Sequence, residues 1–480
     1  MAIFPQSRVN DLRTALELAD RRGELLRISR PVDPGIQLPS ILKALGRLPS
    51  KPAVLFEEII GFPGQRGCAG LFAERARMAE LLGLTADEVS RKETYLGALD
   101  HPLHPTLVST GPCKENILTK DIDVRKLIFS TRGAEHVTHQ YYQPVVILKN
   151  PITGQINASL YRACIQGPDT VTVNIRWNQH GGYLLSMAKE RGVPFPVALC
   201  IGVDPAVYLA AVTKVPLGYD ELGFAGALRG APLELVRCET VDLAVPAGAE
   251  FVIEGEIRPP YRLGDDGPWP EYFGYLGMNI HPPVMDITAV THRSDPVNLV
   301  LVPHTLPHLL GMGTDAQLYR HLKAFAGDFI ADTRVDRSGL HRVIVKVKKT
   351  EGHHEGLQVN VAFAALGFDA WVDVVILVDD DINIYDEENI WWAINSRCNP
   401  ARQIHILPEG RTHQNCPIAG VREMFNEPIV KGKMIIDATI PWNYRIVEKS
   451  PGITYFTLSS WPEVDLREVL EKEDASKWLH

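Results

Sequence analysis

The chain has 480 residues and a net charge of −9 at pH 7, with 45% hydrophobic and 22% charged residues. This length indicates about three domains, and the negative charge argues against a general nucleic-acid or anionic-membrane surface. We expect no membrane span, because no apolar run reaches ~20 residues, and no signal peptide at the N-terminus. The seven cysteines are dispersed and form no CxxC pair, which favours a reducing, cytoplasmic location over a disulfide framework.

Residues 1–105 mix helix and strand patterns and predict an N-terminal α/β unit. An apolar stripe over 10–21, behind the cap residue Asn10, predicts a helix. The apolar run Ala53–Phe56 predicts a short buried strand. The prolines of 101–105 cannot continue regular structure and mark the end of this unit.

The next region, 106–312, is rich in strand patterns separated by glycine and proline, which is typical of a barrel or a sandwich. Its predicted strands cover residues 143–148, 156–165, 171–177, 251–257 and 297–302. From 313 to 450 helix and strand patterns alternate again, with helices predicted at 316–330 and 354–366 and strands at 343–347 and 374–378. A last amphipathic helix is predicted within 451–480 and is a candidate for packing on a neighbouring subunit.

The first candidate site is the segment Asn157–Arg162, in which asparagine offers a neutral oxygen and arginine a planar fork suited to a carboxylate. In an ideal strand Asn157 and Arg162 face opposite sides, so either a bulge intervenes or a ligand wraps the strand edge. The alternative is a polar strand end with a surface arginine.

Two further candidates are His180 and Glu221. His180 follows a predicted strand and precedes two glycines that allow close backbone approach; a hydrogen-bonded loop histidine is the alternative. Glu221 lies in an acidic segment that could equally be a solvated turn. With Asn157 they would form a mixed nitrogen and oxygen site for Mn²⁺ or Mg²⁺, although the spacing alone does not require the three to converge.

The fourth candidate is the segment 264–275, where two prolines and several aromatic residues surround the carboxylates of Asp266 and Glu271. Crowding by Trp269, Tyr272 and Phe273 should desolvate Glu271 and raise its pKa toward the range of a proton donor. A solvated acidic turn is the alternative, but it explains this aromatic crowding poorly.

Three other patterns predict no site. The segment Gly311–Gly313 is an incomplete dinucleotide fingerprint without the strand and turn that a Rossmann site needs. His304 and His308 have the spacing of a metal pair, but Pro307 disfavours the helix that would align them. The acidic run 379–381 is interpreted as a solvated turn.

The four candidate segments, in this order, resemble the UbiD family of decarboxylases, which includes ferulic acid decarboxylase and 3-polyprenyl-4-hydroxybenzoate decarboxylase. The resemblance covers about 105–450 and is weaker toward the N-terminus. The family's Glu-Gly-Pro-Phe-Gly-Glu segment reads here Asp266-Gly-Pro-Trp-Pro-Glu271. Further support comes from the segments 380–383, 391–401 and 433–439.

This resemblance implies an α+β fold with a central split β-barrel flavin-binding domain, flanked by α/β N- and C-terminal domains. The implied division is 1–105, 106–312, 313–450 for a C-terminal oligomerisation domain, and 451–480 for a helical tail. The implied cofactor is prenylated FMN, supplied by a flavin prenyltransferase and bound by Asn157, Ala158, Ser159, Arg162, Gln179, His180 and Glu221. The resemblance also implies Mn²⁺ or Mg²⁺ at Asn157, His180 and Glu221, K⁺ nearby, and a homodimer or a homohexamer.

The implied reaction is reversible, non-oxidative decarboxylation of an aromatic, heteroaromatic or conjugated carboxylic acid, with release of CO₂. Arg162, Asp266 and Glu271 form the implied catalytic network, in which Glu271 donates the proton. Asp266 replaces the usual glutamate, so this network must close by a slight shift or through water. No lysine for the cofactor phosphate lies in 366–373, which leaves Lys431 and Lys433 as alternatives.

The substrate pocket should include Gln179, Tyr272 and the segments 304–310 and 413–415. Two other functions stay open. One is an FMN oxidoreductase on a split barrel, and the other is a subunit of a multi-subunit aromatic carboxylase complex.

Overall fold

The computed structural model describes residues 9–132, 134–271, 273–277, 280–302, 306–335, 341–425, 427–459, 464–465 and 469–470. The amphipathic helix predicted after Pro462 falls mainly outside these residues, as do Tyr272 and His304. Among the helices of the described chain, none is both long enough and apolar enough to cross a membrane.

The N-terminal part alternates helices with short strands, as its sequence predicts. Its elements are α1 (Leu12–Arg21), β1 (Leu25–Ile28), α2 (Gln37–Leu45), β2 (Ala53–Phe56), β3 (Arg66–Ala69), α3 (Arg75–Leu81) and α4 (Glu88–Asp100). Asp11, rather than the predicted Asn10, caps α1, because its carboxylate accepts from Thr14 N at 2.9 Å. A strand from much later in the chain, Val297–Leu299, joins β1, β2 and β3 in one four-stranded sheet.

The central part contains most of the strands and also four helices. The helices are α5 (Val124–Leu127), α6 (His180–Arg191), α7 (Pro205–Val212) and α8 (Glu221–Arg229). The strands are β4 (Thr106–Leu107), β5 (Asn116–Leu118), β6 (Tyr141–Tyr142), β7 (Val145–Lys149), β8 (Ile156–Leu160), β9 (Ala163–Ile165), β10 (Thr170–Val173), β11 (Phe195–Ile201), β12 (Glu234–Arg237), β13 (Ala244–Pro246), β14 (Phe251–Ile257), β15 (Val284–His292) and β16 (Val297–Leu299). The strand predicted over 156–165 is therefore two strands, separated at Tyr161 and Arg162.

The central sheet is curled into a half-barrel. Eight of its nine strands follow the order β6-β9-β10-β15-β14-β11-β7-β8, and β5 pairs with β15. Strands β8 and β9 lie near opposite ends of this order, yet only Tyr161 and Arg162 connect them. Adjacent strands are about 4.8 Å apart and one residue spans at most about 3.6 Å, so a flat sheet would separate β8 from β9 by far more than two residues can cover. Arg162 therefore crosses the open side of the half-barrel.

Both faces of this sheet are buried, which fixes the positions of the helices around it. Along β7, Val145 and Ile147 pack into the large core cluster that includes α7 and α8. The alternate residues Val146 and Leu148 pack into the interior cluster, together with apolar residues of α6. The helix α6 thus fills the inside of the half-barrel, and α7 and α8 cover its outside.

The C-terminal part is an α/β unit around a five-stranded sheet of order β17-β18-β19-β21-β20. Its elements are α9 (Pro307–Ala326), β17 (Ile330–Val335), β18 (Arg342–Val347), α10 (Leu357–Phe368), β19 (Val374–Asp379), α11 (Glu387–Arg397), α12 (Pro400–Gln403), β20 (Ile404–Arg411), α13 (Pro417–Met424), β21 (Val430–Ala438), α14 (Trp442–Arg445), β22 (Glu448–Ser450) and β23 (Ile453–Thr454). We expected Pro307 to disfavour a helix here, and this expectation is wrong. Pro307 begins α9, because proline fits the first turn of a helix. The Gly311–Gly313 segment lies inside α9 and is no phosphate loop.

The acidic run 379–381 is only in part the solvated turn that the sequence suggests, because Asp380 and Asp381 are exposed in a turn whereas Asp379 ends β19. Asp379 is buried and accepts from Arg397 Nη1 at 2.9 Å, from Ile440 N at 3.0 Å and from Arg445. Arg397 also donates to Asp381 at 2.6 Å. The interpretation is wrong for Asp379 because the arginines that neutralise it lie 18 and 66 residues further along the chain.

Candidate active site

The three residues expected to bind a metal ion lie together beside the half-barrel. Asn157 Nδ2 donates to Glu221 Oε1 at 2.7 Å. His180 Nδ1 lies 3.5 Å from Asn157 Nδ2 and 3.9 Å from Glu221 Oε1. One amide, one imidazole and one carboxylate thus converge from β8, α6 and α8.

Two of these residues are the first residues of helices, not members of a loop and an acidic turn. His180 begins α6, and Gly182 follows because a Cβ there would lie 2.0 Å from the Arg176 carbonyl oxygen. Glu221 begins α8, where Asp220 caps the helix by accepting from Gly223 N at 2.8 Å. Helix N-termini carry partial positive charge, so the first turns of α6 and α8 both favour negative charge near His180 and Glu221.

The Glu221 carboxylate is held in an unfavourable environment for its charge. Burial raises the pKa of Glu221 to about 7, against hydrogen bonds from its own N–H, from Ala158 N–H and from the Asn157 amide. Burial also lowers the pKa of the His180 imidazole. Within the described chain, no three His, Cys, Asp or Glu side chains cluster as a metal site, so this set depends on the asparagine.

The expected catalytic residues form a second cluster on the open side of the half-barrel. Arg162 Nε donates to Asp266 at 2.9 and 3.2 Å, and Arg162 Nη1 donates to Glu271 Oε1 at 3.4 Å. The Asn174 amide oxygen, oriented to meet its neighbours, accepts from Nη1 and Nη2 at 3.1 Å each. Asp266 therefore reaches the guanidinium directly, and the shorter side chain needs no water to close the network.

Within the cluster of Arg162, Asp266 and Glu271, it is Glu271 that lies in the aromatic part of the segment 264–275. It is 8% exposed, and burial raises its pKa while the charges of Arg162 and Arg176 oppose the rise. Trp269, two residues earlier, packs edge-on against Tyr141 with ring centroids 4.5 Å apart. Such an environment favours a carboxyl group that keeps its proton to higher pH than usual, as the sequence predicts.

Both clusters border a cavity of about 530 Å³ between the central and C-terminal parts. Its lining includes Ser159, Arg162, Gln179, His180, Glu271, Leu306, Leu310, Trp371, His413, Gln414 and Asn415. Four of the expected site residues are not part of this lining and lie behind it, namely Asn157, Ala158, Glu221 and Asp266. A second cavity of about 450 Å³ lies on the other side of Glu271, which borders both.

The lysines proposed from the sequence do not face this cavity. Lys431 and Lys433 lie with Nζ 3.2 and 3.8 Å from the carboxylate of Asp373, and Lys433 also donates to a backbone carbonyl. The lysine that lines the cavity is Lys214, which sequence reasoning missed and which pairs with Asp369. Asn174 is also missed, although an asparagine directly after the alternating strand pattern that becomes β10 is a usable signal.

Comparison with known proteins assigns the family. Models of the 3-octaprenyl-4-hydroxybenzoate carboxy-lyase match the chain in three parts: the N-terminal domain at 16–92, the Rift-related domain at 106–305 and the C-terminal domain at 308–438. The chain belongs to the UbiD family. The family match extends to residues 16–92, the region in which the sequence motifs show the weaker resemblance.

Solved structures and curated relatives match over nearly the whole chain. The UbiD-class enzyme HmfF from Pelotomaculum thermopropionicum, solved with FMN, is 32% identical, with 96% of this chain and 100% of HmfF covered and a TM-score of 0.87. The 3,4-dihydroxybenzoic acid decarboxylase AroY of Klebsiella pneumoniae is 28% identical, with 98% and 100% covered and a TM-score of 0.87. A phenolic acid decarboxylase of Sedimentibacter hydroxybenzoicus is 29% identical, with 90% of this chain and 92% of the relative covered.

Proposed function

We propose that this UbiD-family carboxy-lyase uses prenylated FMN to remove CO₂ from an aromatic or heteroaromatic carboxylic acid. The observation that carries the proposal is the buried Arg162–Glu271 pair, which borders a cavity large enough for a small-molecule ligand. The relatives named as decarboxylases of phenolic and 3,4-dihydroxybenzoic acids support the substrate class. HmfF supports the cofactor, since it is solved with FMN and, in an evolved dimeric form, with prFMN.

The residues around Glu221 fit a divalent cation once the Asn157 amide turns to present its oxygen in place of Nδ2, which here donates to Glu221. A buried carboxylate whose pKa is raised by burial gains most from a nearby positive charge. The imidazole of His180 and the amide of Asn157 are neutral, so a metal ion here needs a further anionic ligand, and the phosphate of the cofactor supplies one. We therefore propose Mn²⁺ or Mg²⁺ at these three residues, with K⁺ nearby.

The other cofactor contacts divide into direct and indirect ones. Ser159, Arg162 and Gln179 line the larger cavity and can contact the cofactor directly. Ala158 acts indirectly, because its N–H donates to Glu221 Oε2 at 3.3 Å.

Lys214 is the cation that we assign to the cofactor phosphate. It follows α7, lines the cavity and lies with Nζ 5.3 Å from the ring centroid of Trp371. Its present partner Asp369 belongs to the segment that links α10 to β19, so this ion pair also joins the central and C-terminal parts. A lysine is a suitable phosphate ligand because its ammonium group is a compact point charge.

The side chains supply charge and a proton, while prenylated FMN, when bound, supplies the electron sink for decarboxylation. Asp266 engages Arg162 Nε, and Glu271 and Asn174 engage Nη1, which leaves one N–H of Nη2 to bind the carboxylate of the substrate beside Glu271. Glu271 then gives its proton to the carbon that lost CO₂. In the carboxylation direction the same carboxylate takes that proton, which makes the reaction reversible.

We extend the proposal to the architecture of the whole protein. The half-barrel is the flavin-binding split barrel of a central domain at about 106–312, and the C-terminal part is an oligomerisation domain that forms a homodimer or a homohexamer. Exposed apolar side chains near the C-terminus support an interface there, namely Tyr444, Ile446, Ile453, Tyr455 and Leu458. All seven cysteines are free, in keeping with a cytoplasmic location.

The decisive experiment is co-expression with a flavin prenyltransferase, followed by a screen of aromatic acids for CO₂ release in buffered D₂O. We expect decarboxylation with deuterium at the carbon that carried the carboxylate, and no turnover by protein loaded with plain FMN. Decarboxylation at the same rate with plain FMN would refute the role of the prenylated cofactor. Turnover of NAD(P)H by the bound flavin would instead favour an FMN oxidoreductase.

A second candidate is a subunit of a multi-subunit decarboxylase. It is favoured by the vanillic acid decarboxylase of Sedimentibacter hydroxybenzoicus, 27% identical, which is solved as ShVdcCD with a truncated ShVdcD. If the purified, cofactor-loaded chain is inactive alone but becomes active with a second polypeptide, this candidate is correct.

A further inference from the structure

Glu271 receives a hydrogen bond from the C-terminal part of the chain as well as from the half-barrel. Asn415 Nδ2 donates to Glu271 Oε2 at 2.8 Å, whereas Arg162 Nη1 donates to Oε1 at 3.4 Å. Asn415 lies in the short segment between β20 and α13. Each carboxyl oxygen therefore has its own donor, and the shorter contact comes from outside the Arg162 and Asp266 cluster.

The segment that carries Asn415 is itself held in place. Asn415 N donates to His413 Nδ1 at 3.2 Å, which fixes the backbone next to the side chain. The His413 ring packs on Trp371 with centroids 3.7 Å apart and planes at 32°. Burial lowers the pKa of His413 to about 3, so the ring is neutral at neutral pH, and the hydrogen bond from Asn415 N selects the tautomer with its proton on Nε2.

Asparagine and arginine differ in what they can offer a carboxyl group that changes its charge. The guanidinium of Arg162 has donors only, so it stabilises the ionised form of Glu271 and opposes a proton on Oε1. An amide has both a donor and an acceptor, so Asn415 can donate to the carboxylate and, once turned over, accept from the protonated acid. Asn415 is thus able to keep its contact through a cycle in which Glu271 gains and loses a proton.

We propose that Asn415 is a positioning residue for the decarboxylation proposed above, holding Glu271 Oε2 through both charge states of this carboxyl group. It rests on the proposed function, in which Glu271 is the proton donor. Asn415 does not have to touch the reacting atoms, because it acts through Glu271. It also makes the geometry of the proton donor depend on the C-terminal part of the chain.

The charged surroundings of Glu271 set the direction of the expected effect. Arg162 and Arg176 favour its ionised form, Asp266 disfavours it, and burial raises its pKa most. His413 is neutral and does not change this balance near pH 7. The bond from Asn415 to the ionised carboxylate is charge-assisted and therefore stronger than its bond to the protonated acid, so loss of Asn415 should raise the pKa of Glu271 further.

The test replaces Asn415 in the full-length, cofactor-loaded protein. Asn415→Leu keeps the size and removes the donor, and Asn415→Asp keeps the shape and adds a like charge. We expect the Glu271 titration to move up by about one pH unit in the leucine variant, and further in the aspartate variant. Gln414→Leu is the matched control for the titration alone, because this neighbouring side chain lines the cavity but makes no hydrogen bond to Glu271 in the described structure and should leave the Glu271 titration unmoved.

The titration is measured by pH-difference infrared spectroscopy of the carboxyl band, with ¹³C-labelled glutamate and assignment by its loss in Glu271→Gln. The alkaline limb of log kcat against pH should move by the same amount, because a general acid must be protonated to act. A lower kcat without any movement of the titration would mean a merely structural role and would overturn the proposal. The infrared titration needs no turnover, so it decides the role of Asn415 even if no aromatic acid is decarboxylated.

Discussion

Replacing Glu271 with glutamine removes a titratable proton from the site while keeping nearly the same shape. Only one orientation of the new amide preserves the contact with Asn415, with the carbonyl oxygen at the position of Oε2. The new NH₂ group then faces Arg162 Nη1 at about the present 3.4 Å, so two donors oppose each other. Arg162 nevertheless stays in place, because Asp266 holds its Nε at 2.9 Å.

The expected loss of rate in Glu271→Gln equals the contribution of a positioned general acid to the rate. Proton transfer by such a group contributes roughly 10²–10⁴-fold to the rate, which corresponds to about 3–5 kcal/mol of transition-state free energy. Binding of prenylated FMN should be unchanged, because the proposed phosphate and metal contacts at Asn157, His180 and Glu221 are separate from this cluster. The loss should therefore fall on kcat and not on the cofactor content.

The assay is single-turnover decarboxylation by protein whose cofactor content is measured from its spectrum. The wild-type rate should fall as the pH rises through the Glu271 pKa, which burial has raised, and the variant should lack this limb. Asp266→Asn is the comparison, and we expect a smaller loss because Asp266 lies behind the cavity wall. A Glu271→Gln variant that still turns over near the wild-type rate would remove Glu271 from the mechanism.

Three further predictions concern the binding of the metal ion and the cofactor, and the stability of the fold. Glu221→Gln and His180→Ala should each lose Mn²⁺ and prenylated flavin together, measured by metal analysis and flavin absorbance, and full retention of both would contradict the metal assignment. Lys214→Met should raise the Kd for FMN roughly tenfold by loss of a charged phosphate contact, and equal affinity in this variant and wild type would contradict that role. Asp379→Ala should lower the free energy of unfolding by about 1–3 kcal/mol, because Ile440 N loses its acceptor and Arg397 keeps only Asp381 of its two carboxylate partners, and an unchanged denaturation midpoint would contradict it.

Local patterns predict the elements well where one face or both faces of a strand are apolar. The strand predicted at Ala53–Phe56 has these bounds in the structure, and 251–257 coincides with β14. The prediction over 156–165 joins β8 and β9, because the alternation of apolar residues does not show where the chain leaves one edge of the sheet for the other. That crossing also resolves the expected conflict between Asn157 and Arg162, which no longer belong to one strand.

The errors occur where a distant partner changes the role of a residue. Asp379 looks solvated in the sequence, and only the later arginines make its burial possible. Pro307 looks like a helix breaker, and its place at the first turn of α9 is visible only once the helix start is known. Lys214 has no local signal at all, because its relation to the cavity depends on the docking of α7 against the C-terminal part.

The chemistry of Glu271 depends on two parts of the chain that are built separately. The half-barrel brings Arg162 to Glu271 because only two residues join β8 to β9, whereas Asn415 arrives from 144 residues further along the chain. Phe273 adds a third link, since its ring lies 4.7 Å from that of His341, whose Nδ1 is paired with Asp373 at 2.7 Å. A movement of the C-terminal part would therefore change the contact of Asn415 with Glu271, while Asp266 keeps Arg162 in place. The sequence can nominate the carboxylate, but the donors to its two oxygens come from parts of the chain that only the fold brings together.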